Sequence, residues 1–201
     1  SEVSFKGLIM HPKFWDESLD YANKNLIVIG SGATAVSLVP ALAEKAKHVC
    51  MLQRSPSYVV SRPEEDAINL KLKKVLPFKL AYFITRWKNI LSTYFMFYFA
   101  RSYPEVIKTK IIDMVKEELG DDYDVEKHFT PSYKPWDQRI CLVPDGDLFK
   151  SIKNGTSSVV TDHIDMFIED GILLKSGKKL NADIIVTATG IELNVLSDIA
   201  I

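Results

Sequence analysis

Gly30-Ser31-Gly32-Ala33-Thr34-Ala35 is the segment with the clearest chemical use, because its spacing is G-x-G-x-x-A. In that pattern the first Gly turns the chain tightly out of a strand. The second lets the backbone approach a pyrophosphate with no Cβ between them, and the small third residue lets helix and strand pack closely. Phosphate oxygens then meet free amide N–H groups and the positive end of a helix dipole. A tight strand-to-helix turn with no ligand fits the same six letters. The end of the following strand says which dinucleotide would suit. An NAD site usually carries Asp or Glu about twenty residues on, to hold the ribose 2′-OH. Here Leu52-Gln53-Arg54-Ser55-Pro56 brings no acid before Glu64. A carboxylate would repel a 2′-phosphate, whereas a guanidinium pairs with one through two parallel hydrogen bonds. Arg54 is therefore the candidate reader of the NADPH 2′-phosphate, with Ser55 as a second donor. The plainer reading of Arg54 is an exposed strand-end arginine.

The elements that must position these residues are legible nearby. Leu26-Ile27-Val28-Ile29 is a continuous apolar run, as in a strand covered on both faces. Val36, Val39, Leu42 and Ala43 recur at helical spacing and predict a helix over 33–46, with Pro40 as the one objection. His48 to Gln53 is the next strand, and the three elements close within about thirty residues, the size of a βαβ unit. Further on, 158–161, 166–168 and 172–174 read as short strands, and Ser176-Gly177 as a hairpin turn. A buried-type strand over 182–187 ends in Ala188-Thr189-Gly190, a turn expected near the nicotinamide or flavin. The prediction is a Rossmann-like three-layer α/β domain with a mainly parallel sheet and a helical insertion. Residues 1–24 would be an interdomain linker, 25–62 and 131–201 the NADPH-binding domain, and 63–130 the insertion, with Pro77 and Pro104 as breakers.

Composition narrows the partners. With 25 basic and 26 acidic residues the formal net charge is −1, which gives no basic surplus for nucleic acid. Cys50 and Cys141 sit in apolar runs and read as reduced core thiols of a cytoplasmic protein, a disulfide between them being left open. No secretory leader opens the chain, and both ends look like cuts. His11, His48, His128 and His163 show no metal-ligand clustering. The aromatic stretch 76–100 is interrupted by Lys79, Arg86 and Lys88, and its uncharged part is too short to span a bilayer. It reads as a helix buried under the main domain, or as one lying on a membrane surface.

A dinucleotide turn does not name a reaction. A short-chain dehydrogenase would add Tyr-x-x-x-Lys, and neither Tyr82 nor Tyr94 is followed by Lys at that spacing. A disulfide reductase would need a close cysteine pair. Phe5-Lys6-Gly7-Leu8-Ile9-Met10-His11-Pro12-Lys13-Phe14-Trp15-Asp16 fits F-x-G-x-x-x-H-x-x-x-W-[PD] at every fixed position. That stretch resembles the fingerprint of Baeyer–Villiger monooxygenases, a branch of the flavin-dependent monooxygenases. The likeness continues through Gln53-Arg54-Ser55-Pro56, Pro135-Trp136-Asp137-Gln138-Arg139, Val143-Pro144-Asp145-Gly146-Asp147 and Ala188-Thr189-Gly190, and is greatest to the ethionamide-activating subgroup. The resemblance implies a two-domain enzyme using NADPH and FAD to insert an oxygen atom into a ketone or a sulfur-containing small molecule. It implies that FAD sits mainly on an N-terminal domain with its own glycine fingerprint, missing from these 201 residues, so that the chain alone is inactive. It also implies that Arg139 steadies negative charge developing on the flavin, the alternative being an ion pair with Asp137 or Asp145. Many relatives carry Lys before that arginine, and Gln138 stands there instead. Two other readings remain: a stand-alone NADPH-binding regulatory module, and a peripheral membrane protein anchored through 76–100.

Overall fold

The computed structural model describes residues 5–190. Along them run β1 (Leu8–Met10), β2 (Asn25–Ile29), α1 (Ala33–Ala43), β3 (His48–Gln53) and β4 (Val59–Arg62). The helices α2 (Ala67–Val75), α3 (Phe78–Ser102), α4 (Pro104–Leu119) and α5 (Val125–Phe129) follow. Then come β5 (Cys141–Pro144), α6 (Asp147–Lys153), β6 (Ser157–Thr161), β7 (Ile164–Ile168), β8 (Gly171–Leu174), β9 (Lys179–Asn181) and β10 (Ile184–Thr187). They divide into two compact units, one from residues up to Arg54 and from Ser158 onward, the other Ser55–Ser157. β4, β5 and α6 thus group with the helices, not with the parallel sheet.

In the first unit the strand order is β1-β10-β2-β3-β6, and the pairs β1–β10, β10–β2 and β2–β3 are parallel. The interiors of β2, β3 and β10 are buried without alternation, as strands covered on both faces must be. One face is covered by α1, which packs on β2 and β3. On another, Ile27, Cys50, Leu52 and Ile185 bury against Phe5 and against Ile172 and Leu174 of β8. β7, β8 and β9 form an antiparallel meander whose second hairpin turns near Gly177, at φ +85. The Rossmann-like three-layer α/β arrangement with a mainly parallel sheet is therefore present, one outer layer being a small antiparallel sheet. α1 runs through the buried Pro40 and stops at Ala43 rather than 46, where the Lys45 and Ala46 amides both donate to Leu42 O. Within the stretch read as a linker, Leu8 to Met10 adds an edge strand in register with Ile184 to Val186.

In the second unit β4 and β5 pair in parallel, Val59 opposite Cys141. α4 buries Ile107, Ile111, Val115 and Leu119, a stripe at fourfold spacing. Tyr58 and Ala100 complete that core, and the Tyr58 hydroxyl donates to Tyr133 O at 2.6 Å. Asp66 caps α2 by accepting from the Ile68 and Asn69 amides, and its carboxylate also pairs with Lys88 of α3. α3 is 25 residues long yet buries only Ala81 and Ala100. The expectation of a buried helix fails here: apolar side chains stand all round α3 rather than along one stripe, and nothing described covers them. No helix of the described residues is long and apolar enough to cross a membrane.

Candidate functional site

The carboxyl ends of β10, β2 and β3 lie level, with Thr187 opposite Ile29 and Ile29 opposite Leu52. β2 feeds α1 and then β3 on one side, while β10 flanks it on the other. That is a topological switch point, where the crevice beyond the strand ends receives ligands in open α/β sheets. Gly30 occupies it with φ +144, and its amide donates to Leu52 O at 2.9 Å. A Cβ there would stand 2.4 Å from Ala188 O, so this glycine is needed to bring the ends of β2 and β10 together. Gly32 is different. It is the N-cap of α1, in extended conformation, with no side-chain hydrogen bond, and a Cβ on it would meet nothing within 4 Å. Gly32, Ala33 and Thr34 are exposed, whereas Ala35 is buried, its small side chain admitting close helix–strand packing. The first turn of α1 therefore offers its amides to open space with no side chain capping them, an arrangement suited to a diphosphate.

Arg54 follows β3 directly and is exposed. Among the described residues it has no hydrogen bond or ion pair. Asp162, whose amide donates to Gln53 O, does not neutralise it: hydrogen bonds from Ser176 and the His163 amide hold the Asp162 carboxyl below its usual range. Thr189 and Gly190 extend from β10 at the same sheet edge, both exposed, Gly190 with φ +107. His11 reaches this turn, its Nε2 standing 3.0 Å from Gly190 O. His11 Nδ1 accepts from the Lys13 amide at 3.1 Å, so the ring proton belongs on Nε2, which donates to Gly190 O. Gly7 is equally constrained, since a Cβ there would meet Asp183 O at 2.4 Å and the Phe5 ring at 2.5 Å. The fixed Phe, Gly and His of the N-terminal pattern thus seat β1 and its flanks against β10. The sequence reading had the pattern but not these partners, because Asp183 and Gly190 lie at the far end of the chain.

Gly30, Gly32, Ala33, Thr34, Ala35, Arg54, Thr189 and Gly190 all fall in the first unit, whereas Ser55 and Arg139 fall in the second. Arg139 is exposed and has no ion pair among the described residues. Its supposed partners are engaged elsewhere: Asp137 pairs with Arg101 at 2.6 Å, and Asp145 accepts from the Glu64 amide at 3.3 Å. Tyr123 and Lys127 do show the Tyr-x-x-x-Lys spacing. They belong to the second unit, at the start of α5, where the Tyr123 ring lies against Phe129 and the Lys127 amide is capped by Asp124. Neither Cys50 nor Cys141 is in a disulfide, and both are buried, one in each unit. Burial pushes the Cys50 thiol up to about 11 and raises Cys141 as well. Among the described residues no group of three or more His, Cys, Asp or Glu could hold a metal ion.

The flavin-binding monooxygenase-like family is matched by residues 3–196. The chain belongs to this family. This flavin-binding monooxygenase-like chain is 52% identical over 192 residues to the FAD-containing monooxygenase EthA of Mycobacterium tuberculosis, covering 95% of itself and 39% of that relative. It therefore spans well under half the length of the curated relative it matches. Among solved structures, the FAD-bound form of OTEMO superimposes with a TM-score of 0.70 at 17% identity, over 96% of this chain and 44% of that one. An oxidized steroid monooxygenase bound to NADP superimposes with a TM-score of 0.68 at 20% identity, over 92% and 42%. At such identities the shared property is the fold.

Proposed function

We propose that this chain is the NADPH-binding domain of an FAD-dependent monooxygenase of Baeyer–Villiger type, which inserts one oxygen atom into a ketone or a sulfur-containing small molecule. The observation that carries the nucleotide assignment is an uncapped α1 N-terminus with open space before Gly32, and an arginine directly after the next strand that has no hydrogen bond or ion pair among the described residues. The residues present fit the dinucleotide. The amides of Ala33, Thr34 and Ala35 would take the pyrophosphate, Gly32 would let it approach, and Arg54 would pair with the 2′-phosphate, assisted by Ser55. Thr189 and Gly190, braced by His11, would border the nicotinamide. Bound NADPH would supply a hydride, and FAD, which the family resemblance assigns chiefly to a further N-terminal domain, would supply the oxygen-activating chemistry. Arg139 would hold a fixed positive charge toward the negative charge that chemistry develops, an arrangement worth roughly 10²–10³ in rate where it is preorganised. Support for the reaction class comes from the family membership, the relative named as an FAD-containing monooxygenase, and the neighbour solved with NADP.

The test is calorimetric titration of the chain with NADPH and NADH. A charged hydrogen bond to phosphate is worth about 2 kcal/mol, so Arg54→Ala should weaken NADPH about 30-fold and leave NADH unchanged. Equal loss for both nucleotides, or no loss for either, would remove Arg54 from this role.

A further inference from the structure

We propose that the α2–α3 corner is a docking surface for an anionic phospholipid bilayer, on which this protein lies without spanning it. This is independent of the nucleotide reading. From Ala67 to Pro104 the chain carries Lys71, Lys73, Lys74, Lys79, Arg86, Lys88 and Arg101 and no acidic residue at all. Lys88 and Arg101 are paired with Asp66 and Asp137, and Arg86 donates to the Tyr82 hydroxyl. The four lysines of 71–79 have no ion pair among the described residues and are all exposed. They flank the point where α2 ends and α3 begins, and between them the corner presents Val75 at 81% and Phe78 at 69% exposure. Apolar side chains so open to water are costly unless something covers them. Beyond the corner the exposed apolar surface continues along α3 through Phe83, Trp87 and Phe95.

Charge decides among occupants. A second copy would bring the same uncompensated lysines face to face, which repels. A bilayer with anionic headgroups gives the ammonium groups partners while Val75 and Phe78 enter the acyl boundary and the lysine stems reach back to the interface. α3 is not apolar enough to cross, so the contact is superficial. Each basic residue near such a surface contributes about a fivefold gain in partitioning, which falls with salt.

The experiment is sedimentation of the chain with vesicles of phosphatidylglycerol and phosphatidylcholine, beside vesicles of phosphatidylcholine alone. Binding is expected only to the anionic vesicles, reversed by high salt. It should weaken by at least about a hundredfold in the triple variant Lys73→Glu, Lys74→Glu, Lys79→Glu, and also fall in Val75→Ser with Phe78→Ser. All five sites are exposed, and unchanged thermal melting shows that each variant is folded. A blue shift of tryptophan emission on binding, lost in Trp87→Ser, would place α3 at the interface. No binding to anionic vesicles, or equal binding to neutral ones, overturns the proposal. So does self-association that the Val75 and Phe78 changes abolish while vesicles have no effect, since a second copy would then be the occupant.

Discussion

A Cβ on Gly30 would meet the Ala188 carbonyl oxygen at 2.4 Å, at a φ of +144, whereas one on Gly32 would meet nothing within 4 Å. The two glycines look alike in the motif and differ in what they serve. Gly30→Ala must strain the backbone and push β10 away, a loss of about 1–3 kcal/mol from conformation alone. Gly32→Ser keeps an allowed conformation and adds a good N-cap, so stability should hold or rise by a few tenths of a kcal/mol. The new hydroxyl, however, would bond an amide proposed to hold a phosphate and stand in its approach. Thermal melting and NADPH titration of both variants test this: Gly30→Ala melts early, and Gly32→Ser melts as wild type but no longer binds. Wild-type NADPH affinity in Gly32→Ser would defeat the pyrophosphate assignment. The motif's spacing was enough to point at both residues. The neighbour that makes Gly30 indispensable was not legible, because it is Ala188, which topology alone brings alongside.

Between elements, one carboxylate is the main polar tie of α2 to α3, beside a hydrogen bond from the Thr85 hydroxyl to Asn69. Asp66 caps the first turn of α2 and pairs with Lys88, and the Lys88 hydrogen bond, with help from the Asn69 amide, lowers its pKa to about 2. A group depressed from 3.8 to about 2 contributes stability that is complete above 3.8 and disappears as pH falls through about 2. The Asp66 carboxyl should therefore titrate near 2 by carbon NMR, and Lys88→Met should move it back toward 3.8. The stability difference between Lys88→Met and wild type should be present at neutral pH and vanish in strong acid; a difference that persists there would assign it to packing. The same region shows where sequence reading stops. Pro77 and Pro104 do mark helix starts, one as the N-cap of α3 and the other as the first residue of α4. The parallel sheet was also readable, because β2, β3 and β10 are unbroken apolar runs. β1, β4 and β5 are three or four residues long and owe their existence to distant partners, so no local period announces them. The exposure of α3 was illegible for the opposite reason, since an aromatic-rich helix without a stripe does not say which side, if any, is covered.

At the scale of the molecule the decisive feature is that only one stretch with the G-x-G-x-x-A spacing is present in 201 residues of a flavin-binding monooxygenase-like family member. One turn should hold one nucleotide. A hydride leaving NADPH needs an acceptor, and protein groups that could serve are few. A disulfide would do, but Cys50 and Cys141 are not bonded to each other, are buried and lie in separate units, and burial keeps both thiols protonated at neutral pH. The chain should thus bind NADPH one to one and leave it unoxidised, with or without a ketone or thioether in the solution. It should also purify without stoichiometric flavin, since the proposed function assigns the amides of α1 to the other nucleotide. Calorimetric stoichiometry, the flavin absorbance of the purified chain and the decay of reduced-nicotinamide absorbance measure these three expectations separately. Steady consumption of NADPH by a flavin-free preparation would mean that a hydride acceptor exists within these residues, and the division of labour proposed between this chain and a separate flavin domain would fall. Flavin retained in equal amount would instead reassign the Gly30–Ala35 turn to FAD, and Arg54 would then lose the 2′-phosphate that justifies its place.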